Sequence, residues 1–154
     1  MGTRCLTRIH TEAGEKLLNL YRQFDGYPCG HGNDLFNFLD GFEIVNGYSG
    51  DEGEKAANGA GCLAAQIVAH FKMREHEPAK HRDKAIGGFY IYPVEQKDFG
   101  QDYEYIVTIK EVAWDSDQKN GSISNIKVIS YGDVEFDGTL EEFHAYCNKT
   151  EDEE

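Results

Sequence analysis

The residue types best suited to chemistry in this chain fall in one short stretch, residues 20–33, which reads Leu-Tyr-Arg-Gln-Phe-Asp-Gly-Tyr-Pro-Cys-Gly-His-Gly-Asn. Asp25 and His31 are a carboxylate and an imidazole, the pair that general acid–base catalysis uses when an acid orients a base, and Tyr27 adds a phenol between them. Tyr21 and Arg22, with Arg4 from the N-terminal run, supply aromatic and cationic groups suited to a small anionic or nucleotide-like ligand. Gly26, Gly30 and Gly32 free the backbone to bend, so that amides from Cys29 to Leu35 can point at such a ligand where a helix begins. Asp34 opposes an anion at the same place. The candidate ligand-binding set is therefore Arg4, Tyr21, Arg22, Asp25, Tyr27 and His31, and an enzyme would draw Asp25, His31 and Tyr27 from it. The same residues also fit a bracing role, in which Arg22 pairs with Asp25 while Tyr21, Phe24 and Tyr27 pack on a sheet. No nucleophile is indicated beside Asp25 and His31, so the pattern favours binding over catalysis.

Named chemistries fail on spacing. Cys29 and His31 are metal-ligating types, but a structural zinc site needs four ligands, usually in close pairs, and no second pair of that kind occurs; no metal and no cofactor are expected. The histidines at 10, 31, 70, 76, 81 and 144 form no zinc-protease motif. Asp115 and Asp117 open like a calcium loop, yet the glycine is displaced and the closing Glu is missing. The glycines at 26, 30 and 32 do not give a dinucleotide fingerprint, and neither a phosphate-binding loop nor a nucleophile elbow occurs.

The elements that must position these groups follow from periodicity. Residues 3–10 alternate Cys5, Thr7, Ile9 against Arg4, Leu6, Arg8, His10. Residues 16–24 alternate Leu18, Leu20, Arg22, Phe24 against Leu17, Asn19, Tyr21, Gln23. With Gly14 between them, the two runs predict an N-terminal hairpin. Asn33 is placed to cap a short helix through Leu39 that Gly41 ends, so residues 20–33 join a strand to a helix. Residues 42–58, with Gly47, Gly50 and Gly53, predict a loop. Ala60, Leu63, Ala64, Ile67, Val68 and Phe71 recur at helical spacing. Residues 72–84 show no periodicity and predict a surface loop. Residues 89–94 predict a strand whose far end, at Pro93, lies at a sheet edge, and residues 103–114 a strand with Tyr103, Tyr105, Val107 and Ile109 on one face. Asn120-Gly121 is a hairpin-turn signal leading into a strand over 123–131, with a short strand over 134–136. Thr139 and Glu142 form a capping box for a last helix to Cys147.

The order β-β-α-α-β-β-β-(β)-α predicts an α+β domain over residues 1–148, a mostly antiparallel sheet with about three helices on one face, and a disordered acidic tail over 149–154. A chain of 154 residues suits one such domain. Its net charge of −13 and pI near 4.8 repel nucleic acid and anionic membrane and favour a basic partner or none. Residues 95–154 hold 16 acidic and 5 basic residues, a surface able to block a basic, DNA-binding host protein. No apolar run reaches membrane-spanning length, and no signal-peptide pattern precedes the cysteines, so a cytoplasmic protein with reduced thiols is expected. The edge at 89–93 permits a homodimer beside a monomer.

Four blocks carry a resemblance. Gly2-Thr3-Arg4-Cys5-Leu6, residues 21–32, Asn58-Gly59-Ala60-Gly61-Cys62-Leu63-Ala64-Ala65-Gln66 and Gly87-Gly88-Phe89-Tyr90-Ile91-Tyr92-Pro93 together resemble an uncharacterised family of small bacteriophage and bacterial proteins. The resemblance spans roughly residues 2–110 and implies no activity and no catalytic residues. It implies a context, a small phage or mobile-element protein in the host cytoplasm that binds a host protein or a small metabolite. The sequence thus points first to a non-enzymatic binding protein, then to an acidic interaction protein, and last to a small hydrolase using Asp25 and His31.

Overall fold

A computed structural model describes residues 2–45, 55–76, 88–97, 100–111 and 120–151. Among them the chain forms an α+β fold with a mixed, curled sheet. The strands are β1 (Cys5–Thr11), β2 (Lys16–Arg22), β3 (Glu43–Val45), β4 (Ala56–Asn58), β5 (Phe89–Ile91), β6 (Tyr103–Lys110), β7 (Asn120–Ser130) and β8 (Asp133–Gly138). The helices are α1 (Asn33–Leu39), α2 (Gly59–His76) and α3 (Leu140–Glu151), with a π turn at Pro28–Gly32 leading into α1.

Sheet order is β4-β3-β7-β6-β1-β2-β5, and β8 also pairs with β7. The predicted hairpin forms, with Leu6 opposite Tyr21 and Cys5 opposite Arg22. Gly14 turns it with a φ of +94°, a left-handed conformation that costs glycine little. Five pairings are antiparallel, in keeping with the mostly antiparallel sheet expected, and β1 runs parallel to β6 and β3 parallel to β4. The β1–β6 pair sits at the centre and was invisible to turn signals, because parallel strands are joined by long connections rather than tight ones.

One face of the sheet is buried under the helices. Cys5, Ile9, Leu18, Leu20, Tyr105, Val107, Ile109, Ile126 and Val128 join Leu35, Leu39, Leu63, Ile67, Phe71 and Phe143 in one core, each fully buried aliphatic contributing about 1.5–3 kcal/mol. Arg8 on the opposite face is covered by residues 93–97, donating from Nη1 to the Val94 carbonyl at 3.2 Å and from Nη2 to that of Gln96 at 2.7 Å.

Several boundaries differ from expectation. Strands β3 and β4 occupy the ends of the predicted 42–58 loop, whose middle lies outside the described residues. Helix α2 continues to His76, so the first part of the predicted 72–84 loop is helical and the rest lies outside the described residues. Asn120-Gly121 is not a turn but the start of β7, opposite Val45 and Ile44 of β3. Glycine is needed there for close approach, since a Cβ on Gly121 would stand 2.0 Å from the Lys110 carbonyl oxygen. The predicted strand over 103–114 pairs only to Lys110, and residues 112–119 are not described. Helix α3 runs to Glu151 rather than stopping at Cys147, since Asn148, Lys149 and Thr150 include neither glycine nor proline to break it. Its capping box is as expected: Thr139 Oγ1 accepts from the Glu142 amide at 3.2 Å and Glu142 Oε1 from the Thr139 amide at 3.0 Å.

Candidate functional site

The sheet divides the six candidate residues into two groups. Because Arg22 and Tyr21 are adjacent on β2, their side chains point to opposite faces. Arg22 lies on the helix side with His31, and Tyr21 lies on the other side with Arg4, whose side chain hydrogen-bonds it.

On the helix side, Arg22 is the hub. Its Nη1 lies 3.1 Å from His31 Nδ1 and donates to Asp34 Oδ2 at 2.9 Å, while Nε donates to the Phe24 carbonyl at 2.6 Å. The guanidinium also lies 5.3 Å from the centre of the Phe89 ring, a cation–π contact. Its expected partner Asp25 is farther away, with Oδ2 at 4.0 Å from Nη2. Asp34, the residue that opposes a bound anion, is thus the carboxylate that neutralises Arg22.

His31 is fully buried, with its ring against those of Phe71 and Tyr105 at 5.2 and 5.0 Å. A guanidinium only donates, so Nδ1 accepts from Arg22 and the ring proton sits on Nε2. Nε2 then donates to Thr7 Oγ1 at 2.6 Å. The imidazole is held neutral with both nitrogens engaged, out of reach of solvent. It ties the π turn to β1 and β2 rather than presenting a base.

Asp25 and Tyr27 are placed around this hub. Asp25 takes a φ of +62°, its carbonyl accepts the His31 amide at 2.8 Å, and its exposed carboxylate accepts from the Tyr27 hydroxyl at 3.3 Å. The link from Asp25 to His31 is therefore a main-chain one. Phe24, expected to pack on the sheet, is 54% exposed, because after Arg22 the strand ends and the chain turns outward. Gly26 is packed against β1, where a Cβ would come within 2.9 Å of Arg4 C and Cys5 N, and its carbonyl accepts from the buried Tyr105 hydroxyl at 2.8 Å.

On the other face Tyr21 donates to Gln23 Oε1 at 2.5 Å and meets Tyr92 edge-on at 5.5 Å. Burial raises its hydroxyl above the ordinary tyrosine range, and Arg4 partly offsets this. The Arg4 amide donates to Asp102 Oδ2 at 2.9 Å, and Asp102 Oδ1 accepts from the Tyr131 hydroxyl. Those two bonds, Tyr131 first, hold the Asp102 carboxyl below the usual carboxylate range. A cleft of about 420 Å³ beside them is lined in part by Lys97, Asp102, Glu104, Ile129 and Tyr131.

Five participants were missed by the sequence reading: Thr7, Arg8, Glu104, Asp102 and Tyr131. Thr7 alternates with Cys5 and Ile9 on the inward face, a signal that a polar group there needs a partner. Arg8 forms an ion pair with Glu104 through Nε, and their side chains are 6% and 18% exposed. That pair depends on the parallel β1–β6 register, which places Arg8 opposite Ile106, two residues beyond Glu104, and only the fold supplies it. Among the described residues no group of three His, Cys, Asp or Glu side chains is disposed to hold a metal ion, and no helix is long and apolar enough to cross a membrane. No protein-family model, curated protein or solved structure matches this chain.

Proposed function

We propose that this chain is a non-enzymatic binding protein that engages a basic protein surface through β8 and the start of α3. The observation that carries the reading is the exposed run of Asp133, Glu135, Asp137, Glu141 and Glu142, around Tyr131 and Val134, which are 79% and 58% exposed. The nearby cation Lys127 lies 4.0 Å from Asp137 and offsets one of these charges. Acidic side chains bordering exposed apolar ones suit a partner that is basic at its rim and apolar at its centre.

The junction supports binding over catalysis. Its imidazole is buried and doubly hydrogen-bonded, and Arg22, the cation best placed for a small anion, already holds Asp34. In the phage or mobile-element setting that the sequence resemblance implies, the partner is a host protein in the host cytoplasm. The test is capture of that partner on the immobilised chain over a salt series. Retention that falls steeply between roughly 0.1 and 0.5 M salt supports the reading, because screening shortens the reach of exposed charges over that range. Salt-independent retention contradicts it.

A further inference from the structure

The cysteines divide into two that belong to the sheet and α2, Cys5 and Cys62, and two on the elements that pack where the π turn meets α3, Cys29 and Cys147. Neither of the latter is in a disulfide; Cys29 is half-buried and Cys147 buried. The π turn and α3 approach closely because Gly32 has no side chain: a Cβ there would lie 2.5 Å from Cys147 Sγ. Cys29 lies three residues before Gly32 in the same π turn, near enough for its charge to act on the Cys147 thiol. Asn33 fastens the same contact, its Nδ2 donating to the Cys29 carbonyl at 3.1 Å and to Asn148 Oδ1 at 3.3 Å. The residue after Cys147 is thereby tied to the main chain of Cys29.

We propose that Cys29 and Cys147 are a dithiol pair that closes to an intramolecular disulfide, fixing α3 to the π turn. The oxidant is a small-molecule disulfide of the glutathione type. The two thiols differ in access. Burial, with a smaller contribution from Cys29, pushes the Cys147 thiol up to about 12, so it stays protonated and shielded, while half-buried Cys29 meets the oxidant first. The Cys29 thiolate attacks the glutathione disulfide, whose S–S bond breaks, and one glutathione leaves as a thiolate that takes a proton. Cys147 then attacks the Cys29 sulfur and expels the second glutathione, its proton passing to the departing glutathione thiolate. Two protein thiols are oxidised to one disulfide, and one glutathione disulfide is reduced to two thiols. The bridge closes a long loop, which restrains the unfolded chain and raises stability.

The experiment incubates the folded full-length chain with oxidised glutathione, blocks remaining thiols with N-ethylmaleimide, and maps peptides by mass spectrometry without reduction. The expected result is a Cys29–Cys147 linked peptide as the main disulfide product and a thermal midpoint several degrees higher than in the reduced chain. Cys29→Ser should abolish the link and leave Cys147 unmodified while folded. Cys147→Ser should trap glutathione on Cys29. Should Cys147→Ser fail to fold, the Cys29→Ser result and the wild-type map still decide. A wild-type chain that stops at glutathionylated Cys29, or that links Cys29 mainly to Cys62 or to a second molecule, would overturn the proposal.

Discussion

Arg22 Nη1 and His31 Nδ1 stand 3.1 Å apart, and that contact fixes the tautomer of the imidazole. The ring proton belongs on Nε2, facing Thr7. Nitrogen NMR of the histidine rings at neutral pH should show His31 as the neutral Nε2–H form. His31→Ala should cost about 3 kcal/mol in urea unfolding, because it opens a cavity against Phe71 and leaves the Arg22 and Thr7 groups without their partner. The fully exposed alternative, in which the imidazole serves as a base, predicts a loss of under about 0.5 kcal/mol.

The Arg8–Glu104 pair makes a second prediction. With its guanidinium nearly buried, Arg8 loses its counter-charge in Glu104→Ala, and breaking such a pair costs about 3–5 kcal/mol. Replacing both partners by leucine should recover much of that loss, since well-packed apolar residues of similar volume often do as well as a buried ion pair. A double-mutant cycle on denaturant midpoints measures the coupling.

Asp102 gives the acid limb a definite sign. Its folded carboxyl is held below the ordinary value of 3.8 by Tyr131 and the Arg4 amide. The unfolded chain therefore binds the proton more readily, so the stabilisation is complete above roughly pH 4 and is lost as pH falls through the folded value. Asp102→Asn should flatten the slope of stability below about pH 4 and leave the slope near neutrality unchanged. Thermal melts at a series of pH values check this.

How far the sequence revealed the molecule depended on whether the deciding contacts were local. The N-terminal hairpin, the Gly41 stop and the Thr139–Glu142 capping box were legible because each is set by neighbours in the chain. The central β1–β6 pairing was not, and the Arg8–Glu104 and Arg4–Asp102 contacts follow from it. The stretch containing Arg22 and His31 was identifiable as special from its glycines and polar groups, but composition alone did not reveal that these groups face inward. Asp34 opposes an anion by its charge, and in the fold it fills that place itself.

The two kinds of glycine in the chain should respond oppositely to alanine. Gly121→Ala drives a Cβ into the Lys110 carbonyl and should cost more than about 2 kcal/mol, since backbone on both sides must shift. Gly61 lies in α2 with nothing within 4 Å of an added Cβ, and Gly61→Ala should stabilise by about 0.5–1 kcal/mol. Urea unfolding of the two variants settles the contrast.

The most direct test of the central claim is side-by-side capture of a host partner by the wild-type chain, by Asp133→Lys/Glu135→Lys/Asp137→Lys, and by Asp25→Asn/Tyr27→Phe, each first shown to be folded by circular dichroism. The acidic-face account predicts that the lysine variant loses the partner while the junction variant retains it. Retention by the lysine variant, or loss confined to the junction variant, would contradict the account and move the binding site to the Tyr27–Asp25 surface.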